Sequence, residues 1–205
     1  MTEARAMRAN ARANRERLLA HARAALVRHG TDASLEGIAR EAGVGIGTFY
    51  RHFPSREALL EAVLQERFDA LSARARDLSA ASSPGPALTA WLREFMEFTG
   101  AYRGLAAALL RTLHDTTTPL HAACEGMRTA GAALLARAQE AGAIRADLDA
   151  VELFTIVSGL TWAEEQASTA VPGRASADRA LILILEGLNG PRPTTDPPQE
   201  PRQSN

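Results

Sequence analysis

The residues best able to do chemistry in this chain crowd into one short run, Gly45-Ile46-Gly47-Thr48-Phe49-Tyr50-Arg51-His52-Phe53. Thr48 offers a hydroxyl and a methyl, Ile46 an apolar tip suited to a thymine methyl, and Arg51 a planar fork that can bridge two acceptors of guanine. Tyr50, His52 and, just beyond, Arg56 are placed for phosphate oxygens. Gly45 and Gly47 weaken helical propensity, a poor choice for stability alone, but they allow backbone amides and a nucleic acid to come close. This is recognition chemistry rather than bond-making. The sequence holds no Ser-His-Asp arrangement, phosphate loop, HExxH or usefully spaced carboxylate pair that would argue for an all-α enzyme. Glu164 and Glu165 are adjacent, so a helix points them in different directions, and they read as surface or interface charges.

Such side chains need a support that presents one face. Residues 34–53, SLEGIAREAGVGIGTFYRHF, read as two short helices joined at Ala42-Gly43-Val44. Gly43 supplies the positive φ of the tight turn, while Ile38, Val44 and Phe49 lock the pair together, which is a helix-turn-helix. A helix from about Asn10 to His29, with Leu18, Ala22, Ala25 and Leu26 on one face and Gly30 at its end, precedes the pair. Ser34 is the expected N-cap of the second helix, and Ser55 follows Pro54 to cap a long fourth. Apolar residues recur at helical spacing almost everywhere. The fold class expected is all-α: a three-helix helix-turn-helix head and a six-helix ligand-binding and dimerisation body, about nine helices in all. The head is assigned to 10–70 and the body to 80–190, with the small, Pro/Gly-rich stretch Ala80–Pro86 marking the boundary and a fifth helix starting near Ala87. A sixth helix is expected from about Arg103 to Leu113. Thr118-Pro119 opens a seventh, Asp149 with Glu152 forms a capping box for an eighth, and Ser176 opens a ninth. The Pro-rich tail, 191–205, is expected to be disordered.

The charge distribution agrees with a polyanion partner at one end only. Residues 1–60 carry ten Arg against six acids, net +4, and residues 61–205 carry thirteen Arg against eighteen acids, net −5. All of these basic residues are Arg, which reads partly as compositional bias and lowers the weight of any one of them. No apolar run long enough to span a bilayer is present, and the N-terminus lacks the apolar stretch of a secretory signal. The chain is therefore read as cytoplasmic. Its single cysteine, Cys124, has no intramolecular disulfide partner.

In LEGIAREAGV, GIGTFYRHF and PSREALLEAV the sequence resembles the TetR family of regulators, over roughly Arg15 to Gln65. The resemblance implies a nine- or ten-helix protein that dimerises through its last two long helices. It places Thr48, Tyr50 and His52 on DNA-contacting positions, Ser34 at a phosphate-contacting helix start, and Arg56 where the family often carries a phosphate-binding Lys. Gly45 and Ile46 depart from the Ser and polar residue common there, so more of the readout would rest on DNA shape. WLREFMEFTGAYRGLAAALL, LLARAQEAGAIRAD and LILILEGL are similar to one C-terminal type of the family, with no single effector implied.

In the body, Trp91, Phe95, Phe98 and Tyr102 recur every three or four residues, as core, as the lining of an effector cavity, or as both. Met127, Leu134, Phe154 and Trp162 could complete such a cavity. His121 and Cys124 share a helix face near His114, Asp115 and Glu125, but this nucleus is too sparse for a metal site, so neither metal nor cofactor is expected. The last two helices are more apolar than the outer layer of a monomer requires. Two copies are expected to associate there through Leu153, Val157, Leu160, Leu181, Ile184 and Leu185, giving a homodimer that binds palindromic double-stranded operator DNA and is released by a small-molecule effector. Activation instead of repression is equally compatible with the sequence.

Overall fold

A computed structural model of the chain describes residues 2–170 and 177–188, and all regular structure among them is helical. The head comprises α1 (Thr2–His29), α2 (Leu35–Glu41) and α3 (Ile46–His52), with a single 3-10 turn, Gly30–Asp32, between α1 and α2. The body follows as α4 (Arg56–Leu78), α5 (Pro84–Gly100), α6 (Leu105–His114), α7 (Pro119–Glu140), α8 (Ala150–Ala170) and α9 (Ala177–Leu188). The tail assigned to 191–205 lies outside the described residues.

Local chemistry accounts for most boundaries. Ser34, Ser55 and Thr118 each accept a backbone N–H three residues on, from Gly37, Ala58 and His121, at 3.1 Å. Before α8 the capping box closes in both directions: the Asp149 N–H donates to Glu152 Oε2 at 2.9 Å, and the Glu152 N–H to Asp149 Oδ1 at 2.7 Å. Three boundaries differ from expectation. The first helix begins at Thr2 rather than near Asn10. Its Ala- and Arg-rich start propagates helix without a cap, helped by the Arg12–Glu16 pair at 2.9 Å. The fifth begins at Pro84 rather than Ala87, because a proline in the first turn lacks only an N–H that had no partner there. The sixth begins at Leu105 rather than Arg103, because Gly104 sits in the left-handed region at φ +81°.

Packing joins head and body into one continuous apolar cluster, from Leu18, Phe49 and Phe53 through Leu64 and Phe68 to Trp91, Phe95, Met127 and Phe154. The α4 helix makes the connection, starting beside the head and running along α5 and α7. Fully buried Trp91 lies stacked on Phe95, ring centroids 5.8 Å apart, edge-on to Phe154 at 5.9 Å, and donates its indole N–H to the Leu71 carbonyl of α4 at 2.9 Å.

The head also meets the body backbone to backbone. The Thr31 N–H donates to the Arg103 carbonyl at 2.8 Å, and Arg103 reaches back to the His29 carbonyl at 3.2 Å. Gly30 (φ +71°) and Gly104 permit this approach: a Cβ on Gly30 would lie 2.3 Å from the Arg103 carbonyl oxygen, and one on Gly104 2.5 Å from Thr31 Oγ1.

Candidate nucleic-acid interface and effector cavity

The helix-turn-helix is assembled as its residues dictate. Gly43 takes φ +66°, and Ile38, Val44 and Phe49 are buried between the helices. At seven residues, α3 is too short to hold itself. It is fixed by Phe49, whose ring packs on Phe53 at 5.8 Å, while the Arg15 guanidinium lies 5.4 Å over the Phe53 ring.

With Phe49 turned inward, the remaining side chains face out. Gly45, Ile46, Gly47, Tyr50 and Arg51 are exposed, Thr48 and His52 half-buried, and Ser34 is exposed at the start of α2. Ile46 and Tyr50 leave 41% and 47% of their surface in water, large apolar groups that folding of the head does not use. No atom outside the immediate chain lies within 4 Å of a Cβ placed on Gly45 or Gly47.

Arg56 has a different task from the phosphate contact expected of it. Its Nη1 donates to the carbonyls of Thr31 and Ala33, both at 2.7 Å, and so ties the start of α4 to the turn before α2. Glu165 is likewise no idle surface charge. Its two carboxylate oxygens accept the Gly104 N–H at 3.1 and 3.0 Å, holding the α5–α6 turn that meets the head.

The opening helices match the family model described as bacterial regulatory proteins, tetR family, over residues 18–63, and the body matches "Transcriptional regulator SbtR-like, C-terminal domain" over residues 83–190. The chain belongs to the TetR family. A TetR transcriptional regulator from Streptomyces coelicolor is 36% identical, with 85% of this chain and 97% of that chain covered and a TM-score of 0.52. An HTH-type transcriptional regulator of Staphylococcus aureus (strain MRSA252) is 34% identical over 64 residues, 30% of this chain. The chain spans 34% of the length of that curated relative. The fold is shared with a transcriptional regulator FadR from Bacillus subtilis, described in complex with stearoyl-CoA, at 17% identity and a TM-score of 0.59, covering 85% of this chain and 97% of that one.

In this TetR-family chain the exposed glycine of α3 separates folding from function. Gly47→Ala is expected to raise thermal stability, because the added methyl meets nothing and Ala exceeds Gly in helical propensity by up to about 1 kcal/mol. DNA affinity is expected to fall as the methyl stands between backbone and nucleic acid. A melting curve and a binding titration check this together, and unchanged affinity would remove Gly47 from the DNA face.

In the body, an empty space of about 220 Å³ lies between α5, α6, α7 and α8, lined by Phe95, Leu109, Thr112, Leu113, Cys124, Met127, Arg128, Phe154 and Ser158. Of the aromatic and apolar residues expected around a cavity, Phe95, Met127 and Phe154 line it. Trp91 packs behind Phe95. Phe98 turns toward α4, where its ring meets Phe68 at 5.6 Å, with Tyr102 6.2 Å away on its other side, and Leu134 is core. Trp162 does not belong to the cavity at all: it is 46% exposed on the outer side of α8. Arg128, Thr112 and Ser158 were not anticipated; the spacing of Arg128, four residues after Cys124 and seven after His121, was the available signal.

His121 and Cys124 stand around Arg128 rather than around a metal. Arg128 Nη1 lies 3.2 Å from Cys124 Sγ, and its Nη2 lies 2.9 Å from both His121 ring nitrogens and 2.6 Å from Glu125 Oε2. Nothing is described of the His114 side chain.

The residues expected at a dimer contact are mostly turned inward. Leu153, Val157, Leu181 and Leu185 are buried within the protomer, and Leu160 and Ile184 are half-buried. Both faces of α8 and α9 are apolar, and the outer one carries Val151, Trp162, Ile182 and Leu183 in water. Among the described residues no helix is long and apolar enough to cross a membrane.

Proposed function

We propose that the chain is a ligand-responsive transcriptional repressor that binds a palindromic operator as a homodimer and is released by a small molecule held in the body. The head, 10–70, carries DNA and the body, 80–190, carries effector and partner, all in the cytoplasm. The observation that supports this reading most is α3, a helix anchored by one buried ring, Phe49, that leaves Ile46, Gly47, Tyr50 and Arg51 outward beside the Thr48 hydroxyl. A second copy would meet the outer face of α8 and α9, through Val151, Trp162, Ile182 and Leu183. Two-fold symmetry then sets the recognition helices about 34–36 Å apart for half-sites one turn from each other. The effector acts through its different affinity for the DNA-binding and released states, so ligand and operator oppose each other reciprocally.

The test is capture of genomic fragments by the purified protein, followed by footprinting at two salt concentrations. A protected palindrome whose affinity falls with salt is expected. Arg51→Ala is expected to cost about 1–3 kcal/mol and to relax specificity at one base position, whereas Tyr50→Ala weakens binding to all sequences alike. If neither variant alters DNA affinity, α3 is not the reading helix.

A further inference from the structure

The lining of the body cavity is apolar on all sides but one, and that side is an arginine. Arg128 is nearly buried, its side chain 12% exposed, and its two terminal nitrogens are served unequally. From the solvent side, Nη2 meets the Glu125 carboxylate at 2.6 Å. On the cavity side, Nη1 has only the Cys124 sulfur at 3.2 Å and the Thr112 hydroxyl at a long 3.4 Å. Burial pushes the Cys124 thiol up from its ordinary value, so this sulfur is a neutral, weak acceptor and not a counter-ion. Glu125 is 58% exposed, and water screens its charge from the cavity. The inner edge of a cation therefore faces a dry apolar space with poor acceptors, which is costly for a guanidinium and favourable for an incoming anion.

We propose that the effector of this cavity is a compact monocarboxylate, its carboxylate on the inner edge of Arg128 and its apolar body against Phe95, Met127 and Phe154. The assignment rests on the reading of the chain as a ligand-responsive regulator. Size sets the class: about 220 Å³ is roughly seven times the ~30 Å³ share of a liquid water, room for an aromatic ring or a short aliphatic chain. The Thr112 and Ser158 hydroxyls, both on buried residues of the lining, add hydrogen-bonding groups beside the carboxylate. A bound acid would join α6, α7 and α8, and α7 packs along the α4 helix that leads to the head.

The test uses the full chain, with benzoate and hexanoate as probes and benzyl alcohol and hexanol as their uncharged counterparts, followed by calorimetry. Saturable binding of at least one acid, one per chain, is expected, with the matching alcohol weaker by roughly 10-fold or more. Arg128→Gln is expected to lose the same factor, and Arg128→Lys, which keeps the charge, to lose less. Equal binding of acid and alcohol, unchanged binding by Arg128→Gln, or binding of neither acid overturns the proposal. Should Arg128→Gln fail to fold, the comparison of acid with alcohol on the unaltered protein decides. DNA binding by the same ligand-free preparation is measured separately: its absence counts against the regulator reading, and loss of acid selectivity alone counts only against the carboxylate.

Discussion

Leu183→Arg is expected to convert a dimer into a monomer and to lower operator affinity by about two to four orders of magnitude. Leu183 leaves 57% of its surface in water in the single chain, beside exposed Ile182 on α9, with Val151 and Trp162 exposed on the adjoining α8. A charge placed there costs the protomer little, since surface substitutions away from special features stay within about 0.5 kcal/mol. Across a two-fold interface the same change sets two guanidinium groups against an apolar surface and near each other. Operator affinity falls because the second half-site is bound from the same dimer at a high effective concentration, worth roughly 10²–10⁴ in avidity, which a monomer forfeits. Sedimentation gives the oligomeric state and a binding titration gives the affinity. Leu181→Arg is the contrast: Leu181 is wholly buried, and its replacement is expected to unfold the body. A dimeric Leu183→Arg protein with unchanged operator binding would place the partner surface elsewhere.

The contrast between Leu181 and Leu183 also shows what the sequence could tell. Helix ends were legible because they are decided within a few residues: Ser34, Ser55, Thr118 and the Asp149–Glu152 pair each act on a backbone group three positions away. The recognition face was legible for the same reason, since Phe49 and Val44 fix the roll of α3 through the turn at Gly43. In α8 and α9 the helical period fails, because both faces are apolar and periodicity alone does not say which one points inward. Leu153, Val157, Leu181 and Leu185 were therefore set at the dimer contact and Trp162 in the cavity, each on the wrong side of its helix.

Long side chains were the other source of error. An arginine reaches far enough for its task to depend on what the fold brings near, and Arg56 looked like a phosphate ligand until the carbonyls of Thr31 and Ala33 arrived beside it. Arg128 drew no notice in a chain whose basic residues, histidine apart, are all Arg, because only the burial of α7 makes its charge unusual. Glu165 gained its role from a backbone N–H sixty-one residues away. These three share one property: each satisfies or awaits a group that is distant in sequence.

Gly30→Ala is expected to be the most damaging methyl that can be added to the head, and Gly43→Ala measures why. Both glycines lie in the left-handed region, at φ +71° and +66°, so an alanine at either carries a backbone penalty of about 1–2 kcal/mol. Beyond that penalty the two sites part. A Cβ on Gly43 meets nothing within 4 Å, whereas one on Gly30 lies 2.3 Å from the Arg103 carbonyl oxygen and 2.9 Å from the Arg103 Cβ. That carbonyl is the acceptor for the Thr31 N–H at 2.8 Å, so relief of the clash requires the turn to leave the body and the hydrogen bond to break. The added loss is roughly 1–3 kcal/mol, comparable with overpacking a close contact, and about 2–4 °C in Tm accompanies each kcal/mol in a chain of this size. Urea titration of both variants should therefore place Gly30→Ala below Gly43→Ala by that margin. The same contact links the head to Gly104, which is held by Glu165 on α8, and Arg56 ties the other end of the turn to α4. A Gly30→Ala protein that still binds DNA should lose part of its response to any ligand in the body. Equal destabilisation by the two alanines would mean that the head does not rest on the Arg103 carbonyl, and coupling between head and body would then have to run through α4 alone.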